Sequence, residues 1–236
     1  MASIKDHNGY NQGFKRTKTF RVRIERRAKM MITQMSNISD KSNILEIGCG
    51  TGEISNFIAS ETVANVTGID ICEPFIQIAN KDFKAFNLKY EVRDFLKYDF
   101  DSSEKYDYII GNGILHHLYH NLDDSLKVMS NMLKQDGKII FMEPNIYNPY
   151  CFLIFKFFRS WANLDPDEMA FSKSYIKKIL KRTNYSNVKV LYKDFLLPNT
   201  PTPIINIVVY LSDIFEQIFP IKLITQSIFI TASKNK

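Results

Sequence analysis

The sequence predicts an α/β fold: a seven-stranded, mostly parallel sheet with helices on both faces, closed by an antiparallel pair at its C-terminal edge. Three observations carry this. Five short apolar runs alternate with helices or helix-length connections as far as residue 144, the pattern of a buried parallel sheet. The first run ends in ILEIGCGTG (44–52), a glycine turn of the kind that leads a strand into a helix above a ligand. Two further strand-like runs are joined by a long excursion, so they can pair antiparallel at one edge.

Residues 15–37 predict a helix, with Phe20, Val22, Ile24, Ala28, Met31, Ile32 and Met35 forming an imperfectly periodic apolar side. NILEI (43–47) is a buried strand, and the glycine turn leads into a short helix, EISNFIA. ANVTGID (64–70) is the second strand, and EPFIQIANKDFKAF (73–86) a helix with proline in its first turn. YEVRDF (90–95) and YDYIIGN (106–112) are the third and fourth strands. NLDDSLKVMSNMLK (121–134) reads as a helix capped by Asn121, with Asp123 and Asp124 at its positive end and Leu122, Leu126, Met129 and Leu133 on one face. QDG makes a turn before the fifth strand, KIIFMEP (138–144). Beyond a Phe-rich stretch (150–161) and the acidic loop NLDPDE, Ser172 caps the helix SKSYIKKILKRTN. NVKVLYKDF (187–195) and QSIFITAS (226–233) are the closing strands, with a helix over IINIVVYLSDIFEQI between them. No repeat, linker or composition break marks a second domain. One domain is expected over 1–236, with 1–37 an arm and helix able to act as a lid, and 146–185 and 196–225 as substrate-side or capping insertions.

The chain has 236 residues and is 45% hydrophobic, enough to bury a sizeable core, which argues against a disordered chain. Its three cysteines have no metal-ligand spacing and fit a reducing compartment, so a cytoplasmic location is expected. The start, MASIKDHNGYNQGFKR, is too polar for a signal peptide. The longest apolar runs, YCFLIFKFF (150–158) and IINIVVYL (204–211), fall far short of the ~20 residues that span a bilayer, although contact with a membrane surface stays open. The net charge of +6 is concentrated in Lys15, Arg16, Lys18, Arg21, Arg23, Arg26, Arg27 and Lys29, and in Lys173, Lys177, Lys178, Lys181 and Arg182. Two solvated helix faces is the favoured reading; a footprint for phosphate-bearing partners is the sharper one.

A glycine turn at the carboxyl end of the first strand lets the backbone approach a ligand closely, and the next helix points its positive end at the same spot. Three details argue against a dinucleotide. The spacing is Gly48-x-Gly50-x-Gly52, with Glu53 where a third dinucleotide-type glycine would fall. Glu46 stands two residues before the first glycine. The chain closes with a strand pair in place of a second nucleotide-binding half.

With GID (68–70), RDF (93–95), IIGNGILHHL (109–118) and DGKIIFMEPN, this turn resembles the class I S-adenosylmethionine-dependent methyltransferases, a Rossmann-like three-layer sandwich. The motifs cover roughly residues 40–145. The resemblance implies that S-adenosyl-L-methionine is bound and leaves as S-adenosyl-L-homocysteine. Glu46 and the backbone around Gly48, Cys49, Gly50 and Gly52 would hold its methionine part, with Cys49 a small filler and not a nucleophile. Asp70 would accept from the ribose hydroxyls, a pair of donors that a carboxylate can take together. Ile71 would pack on adenine, Asp94 would accept from the exocyclic amine with Phe95 beside the ring, and Asn112 and Gly113 would face the sulfonium.

Methyl transfer requires alignment, exclusion of water and, for some acceptors, a base. His116 and His117 in HHLYH (116–120) are base candidates, and Glu143 is a further base or orienter. His116 and His120 would share a helical face, yet no third ligand of suitable spacing is visible, so no metal is expected. Gly111-Asn112-Gly113-Ile114 lacks the Asn/Asp-Pro-Pro-aromatic motif of exocyclic-amine methylases, and no cysteine there matches the pyrimidine C5 enzymes. EPNIYNPYCFLIFKFFRSW is aromatic and apolar. Its phenylalanines read first as core; Tyr150, Phe152, Phe155, Phe158 and Trp161 together could instead wall an acceptor site, with Tyr10, Phe14 and Arg21 in a lid. A small organic acceptor, apolar or lipid-linked, is expected. The alternatives are an RNA methyltransferase using the basic helices, an NAD-dependent oxidoreductase and a non-catalytic cofactor-binding subunit.

Overall fold

The computed structural model describes residues 16–97, 104–160, 162, 164 and 168–235. Its strands are β1 (Asn43–Ile47), β2 (Asn65–Asp70), β3 (Leu88–Val92), β4 (Tyr106–Asn112), β5 (Leu133–Pro144), β6 (Tyr185–Lys193) and β7 (Ser227–Lys234). They form one seven-stranded sheet in the order β3-β2-β1-β4-β5-β7-β6. The first five are parallel; β7 runs antiparallel to both β5 and β6. Strand order reverses between β1 and β4, so the crevice at their carboxyl ends is where an open α/β sheet takes its ligand.

Alternation along the strands divides the core into two layers. Leu45, Ile109, Ile139 and Phe141 face helix α4 (Leu122–Met132) and helix α6 (Lys173–Arg182), meeting Leu126, Met129 and Ile179. Their neighbours Ile44, Ile110 and Ile140 face the other way, against Ala28 and Met31 of α1 (Lys18–Ile32) and Ile54 and Ile58 of α2 (Glu53–Glu61). Each large side chain fully removed from water contributes about 1.5–3 kcal/mol. Helix α3 (Glu73–Asp82) covers the β2–β3 end through Ile76 and Ala79. Helices α5 (Pro149–Phe157) and α7 (Ile205–Phe215) lie in the connections of the C-terminal half. Among the described residues no helix is long and apolar enough to cross a membrane.

Several expectations shift. β3 lies two residues earlier than YEVRDF, and only Tyr90 of it is buried; the chain then turns so that Phe95 enters the main core. QDG is not a turn before β5 but part of it. Asp136 takes φ 65° beside Gly137, the strand bulges, and the β4–β5 register slips between Tyr106 and Tyr108. Asn121 makes no cap bond, because a 3₁₀ turn, Leu115–Asn121, runs straight into α4. Ser172 does cap α6, accepting from the Tyr175 N–H at 3.2 Å. The Phe-rich stretch is only partly core: Phe155 is buried, whereas Phe152 and Phe158 are 39% and 51% exposed. Tyr10, Phe14 and Trp161 lie outside the described residues.

Candidate active site

The turn after β1 holds all three glycines in the left-handed region, at φ 66°, 52° and 87° for Gly48, Gly50 and Gly52. A Cβ on Gly48 would stand 2.5 Å from Ile114 Cδ1, and one on Gly52 2.7 Å from the Tyr90 ring. A Cβ on Gly50 would meet nothing within 4 Å. The first and third glycines are therefore forced by packing, and the middle one opens onto space. Cys49 between them is buried, and burial pushes its thiol well up, which suits filler and not nucleophile.

Glu46 lies buried under this turn, where one carboxyl oxygen accepts the backbone N–H of Ser55 at 2.9 Å and its hydroxyl. It thereby captures an N–H of α2's first turn, a helix that begins at Gly52 without a side-chain cap. Burial pushes Glu46 up to about 8, so the group is protonated at neutral pH. A carboxyl raised in the folded state withdraws stability as pH climbs from the unfolded carboxylate range through that value. Glu46→Gln keeps an acceptor for Ser55 and cannot ionise. Its melting temperature relative to the natural chain is expected to rise over roughly pH 5 to 9 and to show no such trend below about pH 4, in a series of melts across pH.

Asp70 ends β2 beside the open glycine. Its two oxygens accept from the backbone N–H groups of Gly50 and Cys72, each at 2.9 Å. Burial raises its carboxyl, while those N–H groups and the nearby His117 ring pull it back. Ile71 follows, an apolar side chain left 42% exposed at the strand tip. Asp94 accepts from the Leu96 N–H at 3.1 Å and pairs with Lys97 at 3.3 Å.

The fourth strand ends in a second constrained turn. Gly113 takes φ 69° and donates its N–H to the Met142 carbonyl at 2.8 Å. Asn112 accepts from Arg27 Nη1 at 2.8 Å. Glu143, fully enclosed at the end of β5, accepts from the N–H groups of Ile114, Leu115 and His116 and from His116 Nδ1 at 2.9 Å. With both oxygens so engaged it orients the turn. Burial and the adjacent His117 lower the His116 pKa, so His116 is a neutral imidazole fixed as the Nδ1–H tautomer. His117 is less enclosed, and its Nδ1 lies 2.7 Å from Glu168 Oε1. Phe155 meets the His116 ring edge-on at 5.7 Å.

Residues 44–137 match a family model described as a methyltransferase domain. Over that stretch the chain carries a methyltransferase domain and is similar to the class I S-adenosylmethionine-dependent methyltransferases. A methyltransferase domain implies S-adenosylmethionine as the cofactor. This methyltransferase is 28% identical over 158 residues to "Probable polyketide synthase 42" of Dictyostelium discoideum, covering 58% of the chain and 6% of the synthase. It is 34% identical over 123 residues to the ribosomal RNA small subunit methyltransferase A of Mesomycoplasma hyopneumoniae (strain 232), covering 51% of the chain and 44% of that enzyme. The chain thus spans less than half the length of either relative. In fold it is similar to a SAM-dependent methyltransferase from Archaeoglobus fulgidus, with TM-score 0.66, 20% identity and 91% and 94% of the two chains covered. It is also similar to Haemonchus contortus phosphoethanolamine N-methyltransferase 2 in complex with S-adenosyl-L-methionine, with TM-score 0.62, 16% identity and coverage of 89% and 53%.

The methyltransferase's glycine turn fits its donor on its own chemistry. Space over Gly50 is bordered by a carboxylate, Asp70, whose oxygens each take one backbone N–H and retain acceptor capacity for a diol. Two groups in or beside the site escape the sequence reading. Glu168 comes from the acidic loop, drawn in because residue 171 bridges to Asn145 just beyond β5. His116, His117 and Glu168 offer ligand atoms within 4.8 Å of one another, the third partner that spacing had not revealed. Their closest pair is nonetheless a hydrogen bond: 2.7 Å between His117 Nδ1 and Glu168 Oε1 is shorter than the roughly 3 Å that separates two ligand atoms on one zinc-like ion. The other group is Arg27. The basic run of α1 is only partly a solvated face: Lys18, Arg21 and Lys29 are exposed, whereas Arg27 is buried on Asp194, Asn112, Gln226 and Ser227, and Arg26 pairs with Asp213.

Proposed function

We propose that this methyltransferase acts on a small organic acceptor seated over the His116–His117 turn, with His117 as the base. The observation that carries the reading is the His117–Glu168 pair beside Asp70. A carboxylate accepting from Nδ1–H sets the tautomer that puts the ring's lone pair on Nε2 and stabilises the imidazolium formed when a proton arrives. Glu168 and Glu143 are positioning residues in this scheme. The backbone of Gly48 to Gly52, Asp70, Ile71, Asp94 and Asn112 would hold S-adenosylmethionine, with Glu46 bracing the turn from below and Gly113 giving close approach. Bound there, the donor supplies a methyl group on a sulfonium for in-line displacement. The chain's own residues align the acceptor, close the site with Phe155 and take up the acceptor's proton at His117.

The polyketide synthase relative favours a small, apolar acceptor, as do the aromatic side chains of 150–158. The RNA reading, prompted by the ribosomal RNA methylase, has less support because Arg27 is occupied inside the fold and Arg26 is paired with Asp213. We read 1–236 as one domain, with 146–185 and 196–225 as the acceptor side. Three buried free thiols suit a reducing cytoplasm.

S-adenosylhomocysteine at about 100 times its Kd is expected to add about 2.7 kcal/mol, raising the melting temperature by roughly 5–10 °C, with no shift from NAD. A flat response at millimolar S-adenosylhomocysteine sinks the reading. Labelled donor incubated with fractionated extract then reports whether label enters small-molecule, lipid or RNA fractions.

A further inference from the structure

Helix α7 is inverted relative to an ordinary surface helix. Beyond the buried Ile205 its inward side is polar: Ser212 accepts from the Phe195 N–H at 3.0 Å, and Glu216 just past the helix from the Asp194 N–H at 2.7 Å. Its outward side is apolar, with Ile207, Tyr210 and Ile214 exposed by 59%, 68% and 39% on one helical stripe. Helix α5 is apolar on both sides, turning Cys151 and Phe155 inward and leaving Phe157 62% exposed. The two helices meet through the segment after α7, where Phe219 is 71% exposed. Asn145, just beyond β5, donates to the Leu223 and Thr225 carbonyls of that segment, and Asn148, the cap of α5, to the Ile224 carbonyl. Single apolar side chains are ordinary on a surface; a connected face of them is a contact site.

Charge selects the occupant. Lys156 lies over the Phe152 and Phe157 rings at 5.2 and 5.7 Å, and Lys173 over Tyr192 at 5.1 Å. Lys222, on the segment after α7, and Lys177 are close enough to Lys173 to disfavour its charge, after the effect of burial. None of these four lysines pairs with a carboxylate among the described residues. The acids of α7 and its end are already taken, Asp213 by Arg26 and Glu216 by Lys193. A second copy would set the same cations against each other. The complement is a surface apolar beneath and anionic above.

The geometry points to a membrane-docking face: α5, α7 and residues 216–224 enter the headgroup region of an anionic bilayer shallowly, with Lys156, Lys173, Lys177 and Lys222 at the lipid phosphates. Phe155, on the inner side of α5, touches His116, so the docked face adjoins the catalytic turn. The inference rests on exposure and charge and stands apart from the acceptor's identity. Sedimentation with vesicles of phosphatidylcholine, with and without phosphatidylglycerol, tests it. Binding is expected to be at least about tenfold tighter to the anionic vesicles and to weaken with salt. Phe157→Ser/Tyr210→Ser/Phe219→Ser should lower it about tenfold or more, and Lys156→Glu/Lys222→Glu should remove the anionic preference. Four of the five side chains are exposed and Lys222 is half-buried, and an unchanged melting shift with S-adenosylhomocysteine shows that the variants are folded. Absence of binding to anionic vesicles at low salt overturns the inference. So does binding indifferent to both variants, or a dimer in solution that the triple variant abolishes.

Discussion

Asp194→Ala is expected to destabilise the protein by about 3–5 kcal/mol, lowering the melting temperature by roughly 6–20 °C. Asp194 is wholly enclosed at the end of β6, and its Oδ2 accepts from Arg27 Nε and Nη2 at 3.1 and 2.9 Å. Removing the carboxylate leaves a guanidinium buried without its counter-charge, the situation in which breaking an ion pair costs most. Arg27→Met/Asp194→Leu removes both charges and should recover much of the loss, which a double-mutant cycle measures. Burial opposes ionisation of Asp194, but Arg27 and Arg23 outweigh it and hold the carboxyl below the usual range. The contribution is therefore complete above about pH 4 and is lost only as pH falls through the depressed folded value. Arg27 also holds Asn112, so the single variant should weaken S-adenosylhomocysteine binding as well; the double variant should not restore that affinity.

The parallel half of the fold was legible because its strands are buried on both faces and read as plain apolar runs. NILEI and YDYIIGN were bounded to the residue. Where a strand is at an edge the signal weakens: LKYEV buries one side chain, and its end was placed too far along. LKQDG is polar yet extended, because Asp136 and Gly137 accommodate a bulge instead of a reversal. Helix α7 is apolar nearly all round, so composition announced a helix without saying that Ser212 and Glu216 would be its buried side.

In the candidate site, the residues that the structure sets at strand ends and their turns are ones that the sequence pattern singles out: Gly48 to Gly52, Asp70, and the turn His116–His117 held by Glu143. What was not readable came from distant segments. Arg27 and Asp194 are 167 residues apart, and inside a basic run one buried arginine looks like its exposed neighbours. Glu168 stands 51 residues from His117 in a loop whose acids all look alike. Only the bridge between Asn145 and Phe171 brings it to the histidine.

That carboxylate gives the second large effect. His117→Asn is expected to lower kcat by about 10²–10⁴ while leaving affinity for S-adenosylhomocysteine unchanged, since the ring is proposed to act on the acceptor's proton and not on the donor. Glu168→Gln should produce a smaller fall in kcat, because it leaves the base and removes only the charge that stabilises the imidazolium. A purely structural role for His117 would lower the melting temperature and affect all acceptors alike. A base predicts otherwise: across acceptors of graded acidity, those that lose their proton most readily should suffer least from the substitution. His116→Asn is the contrasting case. His116 is enclosed, with Nδ1 committed to Glu143, so its loss should disturb the β4 turn and donor binding together. Chelator treatment completes the comparison. If the 2.7 Å contact between His117 and Glu168 is the working hydrogen bond, EDTA leaves kcat intact; a kcat restored by added zinc or another divalent ion would instead make the two residues ligands and His117 no base.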